Sequence, residues 1–233
     1  MEIALLIASV AFGAIVAQVS SLNQNKNWFK WVLAFSGAYL FGVTISHILP
    51  EAFEHGMSHT VAASILGGFL VQYTLDFFSG GIEHGHYHAH GRKIPVALLM
   101  GLFVHSFIEG IPASVDHHHH HHEGVSILWA IIIHKIPISM VLFIYLKELK
   151  QSLSKILLIM SLFAISGPLG LLLGEHVSFF TRYAQELMGF TAGIFLHVST
   201  TIIFESEQHH RLNFQKLISV VLGFIIAYTS TVI

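Results

Sequence analysis

The chain contains no cysteine and few charged residues, and both absences restrict what it can be. Without cysteine it can form neither a disulfide framework nor a thiolate metal site, so histidine, carboxylate, methionine or backbone oxygen must hold any metal. Charged residues make up 10% of the 233 residues, against about 25% in a typical soluble domain, and apolar residues make up 54%. A soluble fold of this size could not bury that much apolar surface, so lipid is the predicted solvent.

Eight long apolar segments account for most of the chain. They run over residues 2–21, 29–50, 59–79, 95–115, 125–146, 153–174, 185–204 and 213–232. Their lengths suit helices, which need about 20 residues to cross a bilayer, rather than strands, which need about 9–11. The first segment has no basic region before it, so we interpret it as a transmembrane helix rather than a cleaved signal. The sequence therefore predicts an all-α integral membrane protein, with one transmembrane domain over residues 1–233 forming an eight-helix bundle.

Basic residues lie almost entirely in alternate loops. The odd-numbered loops hold nine lysines and arginines, the even-numbered loops hold only Arg182, and Lys135 lies inside a span. Because positively charged loops stay in the cytoplasm, the odd loops are predicted to be cytoplasmic and both termini extracytoplasmic. The membrane would be the inner membrane of a bacterial cell, or otherwise the plasma membrane or an endomembrane. The net charge of −2 gives no indication of a nucleic-acid partner.

Two imidazoles and a carboxylate lie near the middle of adjacent spans. His105 and Glu109 are four residues apart in the fourth segment, so a helix presents both on one face. His134 lies at similar depth in the fifth segment, three residues before Pro137. Ionisable groups within spans are costly and tend to be functional. The three side chains suit a nitrogen and oxygen shell for a divalent ion such as Zn²⁺, and the alternative is a buried His–Glu pair without metal.

Further ionisable residues lie along the second and seventh segments. His47, Glu51 and His55 continue a four-residue step at the predicted outer end of the second segment. This spacing indicates either a collecting or gating site or an ordinary solvated helix end. His197 lies within the seventh segment and either lines a pathway or bonds a neighbouring helix, and Glu205 lies at the cytoplasmic end. All five are candidate pathway residues or auxiliary metal ligands.

Histidine is also concentrated in two loops. Four histidines alternate in the third loop, at His84, His86, His88 and His90, a composition that binds divalent ions weakly. Because this loop is predicted to be cytoplasmic, it could receive or buffer a metal ion. Six consecutive histidines, His117 to His122, occupy the fourth loop. They are either native or an engineered tag, and we assign them no role.

The motifs in these spans resemble those of the ZIP (Zrt/Irt-like) family of divalent metal-ion transporters. HSFIEGIPAS is similar to the family's fourth-span pattern His-Asn-x-x-Asp/Glu-Gly, and HKIPIS to a reduced His-Glu-x-Pro-His-Glu motif. ISHILPEAFEHG is similar to the second-span His-x-x-Pro-Glu segment, and the likeness extends over essentially the whole chain. The resemblance implies a metal site at His105, Glu109 and His134 and transport of zinc or a related ion towards the cytoplasm. It also implies no enzymatic activity, no resident cofactor, and an elevator-like movement of spans one, four, five and six against the others.

The sequence departs from the family pattern at three positions of a second metal site. Ser106 stands where Asn is usual, Lys135 where an acid is usual, and Ile138 where His or Glu is usual. These changes predict a site for one ion, with the Lys135 ammonium in the place of the second ion and paired with Glu109 when the site is empty. A fixed cation there weakens divalent binding by like-charge repulsion.

Two other functions are alternatives to the carrier. An intramembrane zinc hydrolase of the ceramidase type would activate a water at the three ligands, although the chain contains no H-E-x-x-H motif. A metal-sensing membrane receptor would use the His-rich loops as its sensor. The ligand set suits Zn²⁺ but also accepts Fe²⁺, Mn²⁺, Co²⁺ or Cd²⁺. The indicated partners are the ion and the lipid bilayer, and assembly as a homodimer is left open.

Deletion of residues 84–90 distinguishes the carrier from the receptor. A carrier whose site lies in the spans loses only the weak binding of this loop, so we expect reduced but saturable zinc uptake into proteoliposomes. A receptor loses its sensor and therefore its whole response. A variant with the four loop histidines changed to asparagine controls for loop length, and complete loss of uptake in both variants would contradict the carrier.

Overall fold

The computed structural model describes residues 1–20, 27–80, 94–119, 127–205 and 214–232, and in these ranges the chain is helical without any strand. The helices are α1 (Glu2–Ser20), α2 (Asn27–Val43), α3 (Leu49–Ala52), α4 (His59–Ser79), α5 (Val96–His119), α6 (Ile127–Glu148), α7 (Leu153–His176), α8 (Ser178–Arg182), α9 (Ala184–Glu205) and α10 (Phe214–Val232). A π-helical turn over Thr44–Ile48 joins α2 to α3. These two helices therefore form one span, the α2–α3 span.

Eight of the described elements are long and apolar enough to cross a membrane: α1, the α2–α3 span, α4, α5, α6, α7, α9 and α10. This confirms the prediction of an all-α protein with eight spans. The outward faces of these helices carry large apolar side chains. Leu66, Leu70 and Phe77 of α4 and Leu158 of α7 are each more than half exposed. Such faces would associate in water, whereas lipid solvates them.

The central helix of the bundle is α6. Of its span, 78% is buried inside the protein, compared with 11% of the α10 span. The α6 sequence is apolar on every side, which is typical of a helix surrounded by other helices. Its neighbours are α1, α2, α5 and α7. The middle of α6 is therefore separated from both water and lipid, and the buried residues His134 and Lys135 lie there.

The spans pack as four close pairs, which we assign to two groups. In the first, α5 lies along α7 and α1 lies along α6, and we call α1, α5, α6 and α7 the α5–α6 group. In the second, α4 lies along α9 and α2 along α10, and we call α2, α3, α4, α9 and α10 the α4–α9 group. The two groups meet where α5 contacts α4 and α9 and where α2 contacts α6. This division separates spans one, four, five and six from the remaining four.

Glycines let α5 and α7 approach at backbone distance. A Cβ at Gly110 would overlap the carbonyl oxygen of Gly167, and a Cβ at Gly170 would overlap that of Phe107. Small residues at such positions allow membrane helices to gain van der Waals contact without a hydrophobic driving force. Because Gly110 directly follows Glu109, this contact holds the carboxylate-bearing turn of α5 firmly against α7.

Replacing Gly170 by alanine tests this packing. The added methyl group has no space against the α5 backbone, so we expect a destabilisation of about 1–3 kcal/mol and a lower thermal unfolding midpoint in detergent. Gly67 on α4 is the matched control, because a Cβ there meets nothing within 4 Å. Equal unfolding midpoints for the Gly170→Ala and Gly67→Ala variants would contradict the close α5–α7 contact.

Candidate metal site

Two proline-containing helices carry the three candidate ligands. His105 and Glu109 lie one turn apart on α5, followed by Pro112, and His134 lies on α6, followed by Pro137. A proline has no N–H to donate to the carbonyl four residues earlier, so each helix loses one hydrogen bond next to a ligand. Such interruptions are tolerated at membrane depth where they face protein or a cavity.

The three side chains converge on one point between α5 and α6. Nε2 of His105 lies 3.0 Å and Nε2 of His134 lies 3.9 Å from Oε1 of Glu109. The ligand atoms of all three lie within 4.8 Å of one another, and the imidazole rings stand at 87° to each other. Two ligands of a tetrahedral zinc ion, each at about 2.1 Å from the metal, are separated by about 3.4 Å. The two distances from Glu109 lie on either side of this value, so a small adjustment would accommodate one ion.

Burial makes this cluster costly unless its charges are compensated. His105 and Glu109 are each 1% exposed, and His134 is 0% exposed. A carboxylate at the centre of a span costs about 2.5–3.5 kcal/mol on insertion scales, and more where it has no partner. Ionisable side chains within spans usually pair with another polar group or belong to a functional site. Among the described residues, these three form the only set of His and acidic side chains with metal-ligand separations.

Lys135 places its ammonium group beside the cluster. Its Nζ lies 3.6 Å from Oε2 of Glu109 and donates a hydrogen bond to Oγ of Ser106 at 2.8 Å. Ser166 of α7 donates in turn to Ser106 at 2.7 Å. A Cβ at Gly167 would lie 3.1 Å from Nζ, so the glycine leaves room for the ammonium. The ammonium is therefore held on the side of Glu109 that faces away from the imidazoles.

The predicted second-site positions do not offer a second set of ligands. Lys135 donates a hydrogen bond to Ser106, and Ile138 is buried in a hydrophobic cluster together with Val10 and Leu102. A lysine ammonium has no lone pair, and isoleucine has no polar atom, so neither side chain can bind a metal ion.

The three residues predicted at the outer end of the second span, His47, Glu51 and His55, do not lie together but form two separate contacts. His47 lies in the π-helical turn, and its Nε2 is 3.7 Å from Oε2 of Glu51 in α3. The helix ends at Ala52, so His55 does not continue this face and instead contacts Gln185 of α9, with 2.7 Å between Nδ1 and Nε2. Within the described part of the chain, the three residues do not gather as a metal-ligand set.

His197 lies in the interface between α9 and α4. Its Nε2 is 3.5 Å from Oδ2 of Asp76, and its ring meets Phe69 edge-on with 5.0 Å between centroids. Glu205 is the last residue of α9. The loop histidines His84, His86, His88 and His90 lie outside the described residues, as do His120, His121 and His122.

One buried polar residue next to the site was not selected from the sequence. Gln72 of α4 is 0% exposed, and its Oε1 lies 2.8 Å from Nδ1 of His105. The sequence gives little indication of this role, because a single glutamine in the mostly apolar segment LVQYTLD is equally typical of a hydrogen bond between helices. Only the packing of α4 against α5 connects it to the candidate ligands.

The fold defines the chain as a helical membrane protein with eight spans. A family model described as "ZIP Zinc transporter" matches residues 83–230, which is more than half of the chain. The chain belongs to this family, which confirms the resemblance identified from the motifs. A curated relative, "Protein zntD" of Dictyostelium discoideum, is 30% identical over 151 residues. The match covers 57% of this chain and 22% of that protein, so the chain spans about a fifth of the length of this relative.

Proposed function

We propose that this protein carries zinc, or a related divalent metal ion, across a membrane towards the cytoplasm through one site formed by His105, Glu109 and His134. The observation that carries the proposal is the convergence of three buried ligand atoms between α5 and α6. Membership of a family described as zinc transporters supports the same function. It also disfavours the hydrolase and receptor alternatives, which have no such support.

The composition of the site suits a transported ion better than a structural one. Structural zinc sites are closed by four protein ligands, whereas sites with three leave one position for water or substrate. Two imidazoles and one carboxylate hold zinc and also accept Fe²⁺, Mn²⁺, Co²⁺ or Cd²⁺. A carrier needs such exchangeable coordination because it must release what it binds. An ion that sheds most of its water between α5 and α6 would regain it on the cytoplasmic side.

The ion moves with the helices that hold it. All three ligands belong to the α5–α6 group, in which α5 packs on α7 and α6 on α1. This group would slide as a body against the α4–α9 group, which keeps the coordination intact while the site changes its side of the membrane. Close packing of α5 along α7 and of α6 along α1 supports movement of each ligand-bearing helix together with its neighbour.

Polar pairs mark the two ends of the proposed route. His47 and Glu51 lie at the end of the second span that is predicted to face outwards. His197 and Asp76 lie towards the opposite ends of α9 and α4, which are predicted to face the cytoplasm. Each pair combines an imidazole with a carboxylate and so can hold a divalent ion transiently. The direction of transport follows from the charge of the loops rather than from the site itself.

Lys135 limits the site to a single ion and moderates its affinity. With Glu109 ionised and the lysine protonated, the empty site carries no net charge from this pair. A divalent ion that binds to Glu109 meets the Lys135 ammonium on the other side of the same carboxylate. The repulsion between the two cations weakens binding and favours release.

Alanine substitution of His105 or His134 tests the assignment. Each substitution removes one of three ligands, so we expect loss of saturable radioactive-zinc uptake into proteoliposomes, with normal expression and size-exclusion profile. His176→Ala is the matched control, because this exposed histidine lies at the end of α7 and contacts the Leu172 carbonyl of its own helix. Uptake that persists at the wild-type KM in both site variants would refute the site.

Replacing Lys135 by methionine tests the role of the internal cation. Methionine preserves much of the side-chain length and removes the charge, so we expect zinc affinity to rise by about tenfold or more, a gain of at least about 1.4 kcal/mol. The measurement is the zinc concentration that gives half-maximal uptake. Lys147→Met is the control, since Lys147 lies at the end of α6 and bonds Gln18 of α1. A lower affinity in the Lys135 variant would contradict the repulsion.

A further inference from the structure

A hydrogen bond to a candidate ligand crosses the boundary between the two helix groups. His105 belongs to α5 and Gln72 to α4, and 2.8 Å separates Nδ1 of the first from Oε1 of the second. Both residues are almost fully buried, so water does not compete strongly for this contact. The candidate ligands themselves all lie in the α5–α6 group. Gln72 thus connects the opposite group to the ion site.

The chemistry of this contact favours the form of His105 that binds metal. An amide oxygen only accepts hydrogen bonds, so Nδ1 of the imidazole must carry a proton to donate to it. In a neutral imidazole the remaining nitrogen, Nε2, then has a free lone pair. Nε2 is the atom that faces Oε1 of Glu109, at 3.0 Å. Gln72 therefore stabilises both the tautomer and the ring orientation that coordination through Nε2 requires.

Close backbone contact holds Gln72 at the correct distance. Gly101 lies one turn before His105 on α5, and a Cβ there would lie 3.0 Å from the carbonyl oxygen of Leu75 on α4. The two helices therefore touch at backbone level one turn from the hydrogen bond. A larger residue at position 101 would move α5 away from α4 and lengthen the contact between His105 and Gln72.

We propose that Gln72 is a positioning residue that supports zinc binding through His105 in one relative position of the two helix groups and withdraws that support when the groups slide. The proposal rests on the function proposed above. A displacement of a single helical turn, about 5.4 Å, is enough to break a hydrogen bond of this length. The site then keeps its three ligands but loses the partner of Nδ1. Zinc is bound more weakly in the displaced position, which couples release to movement.

A buried glutamine could instead serve only to fill space between α4 and α5, and two substitutions separate these roles. Gln72→Leu removes the acceptor and keeps an apolar side chain of comparable size. Gln72→Glu keeps an acceptor for the Nδ1 proton, and carboxylate partners of metal-bound histidines increase ligand basicity. If Gln72 only filled space, the protein would tolerate leucine at this position, and a buried carboxylate there would destabilise it.

The test is zinc uptake into proteoliposomes by the full chain, with KM and maximal rate measured separately. For Gln72→Leu we expect the KM for Zn²⁺ to rise about 10–100-fold, the usual effect of losing such a partner, without a comparable fall in maximal rate. For Gln72→Glu we expect a KM at or below that of the wild type. Thr191→Val is the control, since Thr191 is a buried polar residue of the α4–α9 group whose hydroxyl donates to the Leu187 carbonyl of its own helix.

Each outcome bears on one of the two proposals. A wild-type KM for Gln72→Leu, or a loss of maximal rate alone in both Gln72 variants, would overturn the role of Gln72. If His105→Ala abolishes saturable uptake while Gln72→Leu matches Thr191→Val, only this inference fails and the transport site stands. If His105→Ala takes up zinc with an unchanged KM, the proposed function itself fails, whatever Gln72 does.

Discussion

The Glu109 carboxylate is the group around which the interior of this protein is organised. It is almost fully buried at the centre of a span, where an uncompensated negative charge is unstable. The surrounding helices provide positive or hydrogen-bonding groups on two sides, with two imidazoles near one oxygen and the Lys135 ammonium near the other. In the proposed function an exchangeable ion would bind on the side of the imidazoles, with the Lys135 ammonium on the other side. The proposed weakening of ion binding by Lys135 depends on that asymmetry.

Packing of the helices keeps this charged cluster in place. Glycines bring α5 to backbone distance from α7 next to Glu109, and Gly167 leaves the space that the Lys135 side chain fills. Across the other side of α5, the close contact at Gly101 brings α4 near enough for Gln72 to reach His105. The candidate site thus lies within one helix group, and a short polar contact between His105 and Gln72 connects it to the other. In a carrier that moves one group against the other, the proposed movement would break this contact.

Much of the architecture was predictable from composition and spacing. Lipid must solvate the outer faces of the helices, so the spans are long apolar runs, and these were recognisable without a structure. A four-residue step places two side chains on one helical face in any helix, which is why His105 and Glu109 could be paired in advance. The same rule failed for His55, because the helix that carries His47 and Glu51 ends at Ala52 and the chain turns away. Spacing predicts a shared face only as far as the helix extends.

The sequence by itself determined the number of spans, the helical class, the family motifs and the residue types available to hold a metal, since these follow from local hydrophobicity and periodicity. Tertiary structure alone decided which helices form each group, how near His134 lies to Glu109, and which side of the carboxylate Lys135 occupies. It also decided that Gln72 and Asp76 of α4 meet His105 and His197 respectively. The reason is physical: in a bundle where every helix is apolar, many pairings bury similar surface. The choice among them depends on close glycine contacts and on matching a few buried polar groups across helices that are distant in the chain.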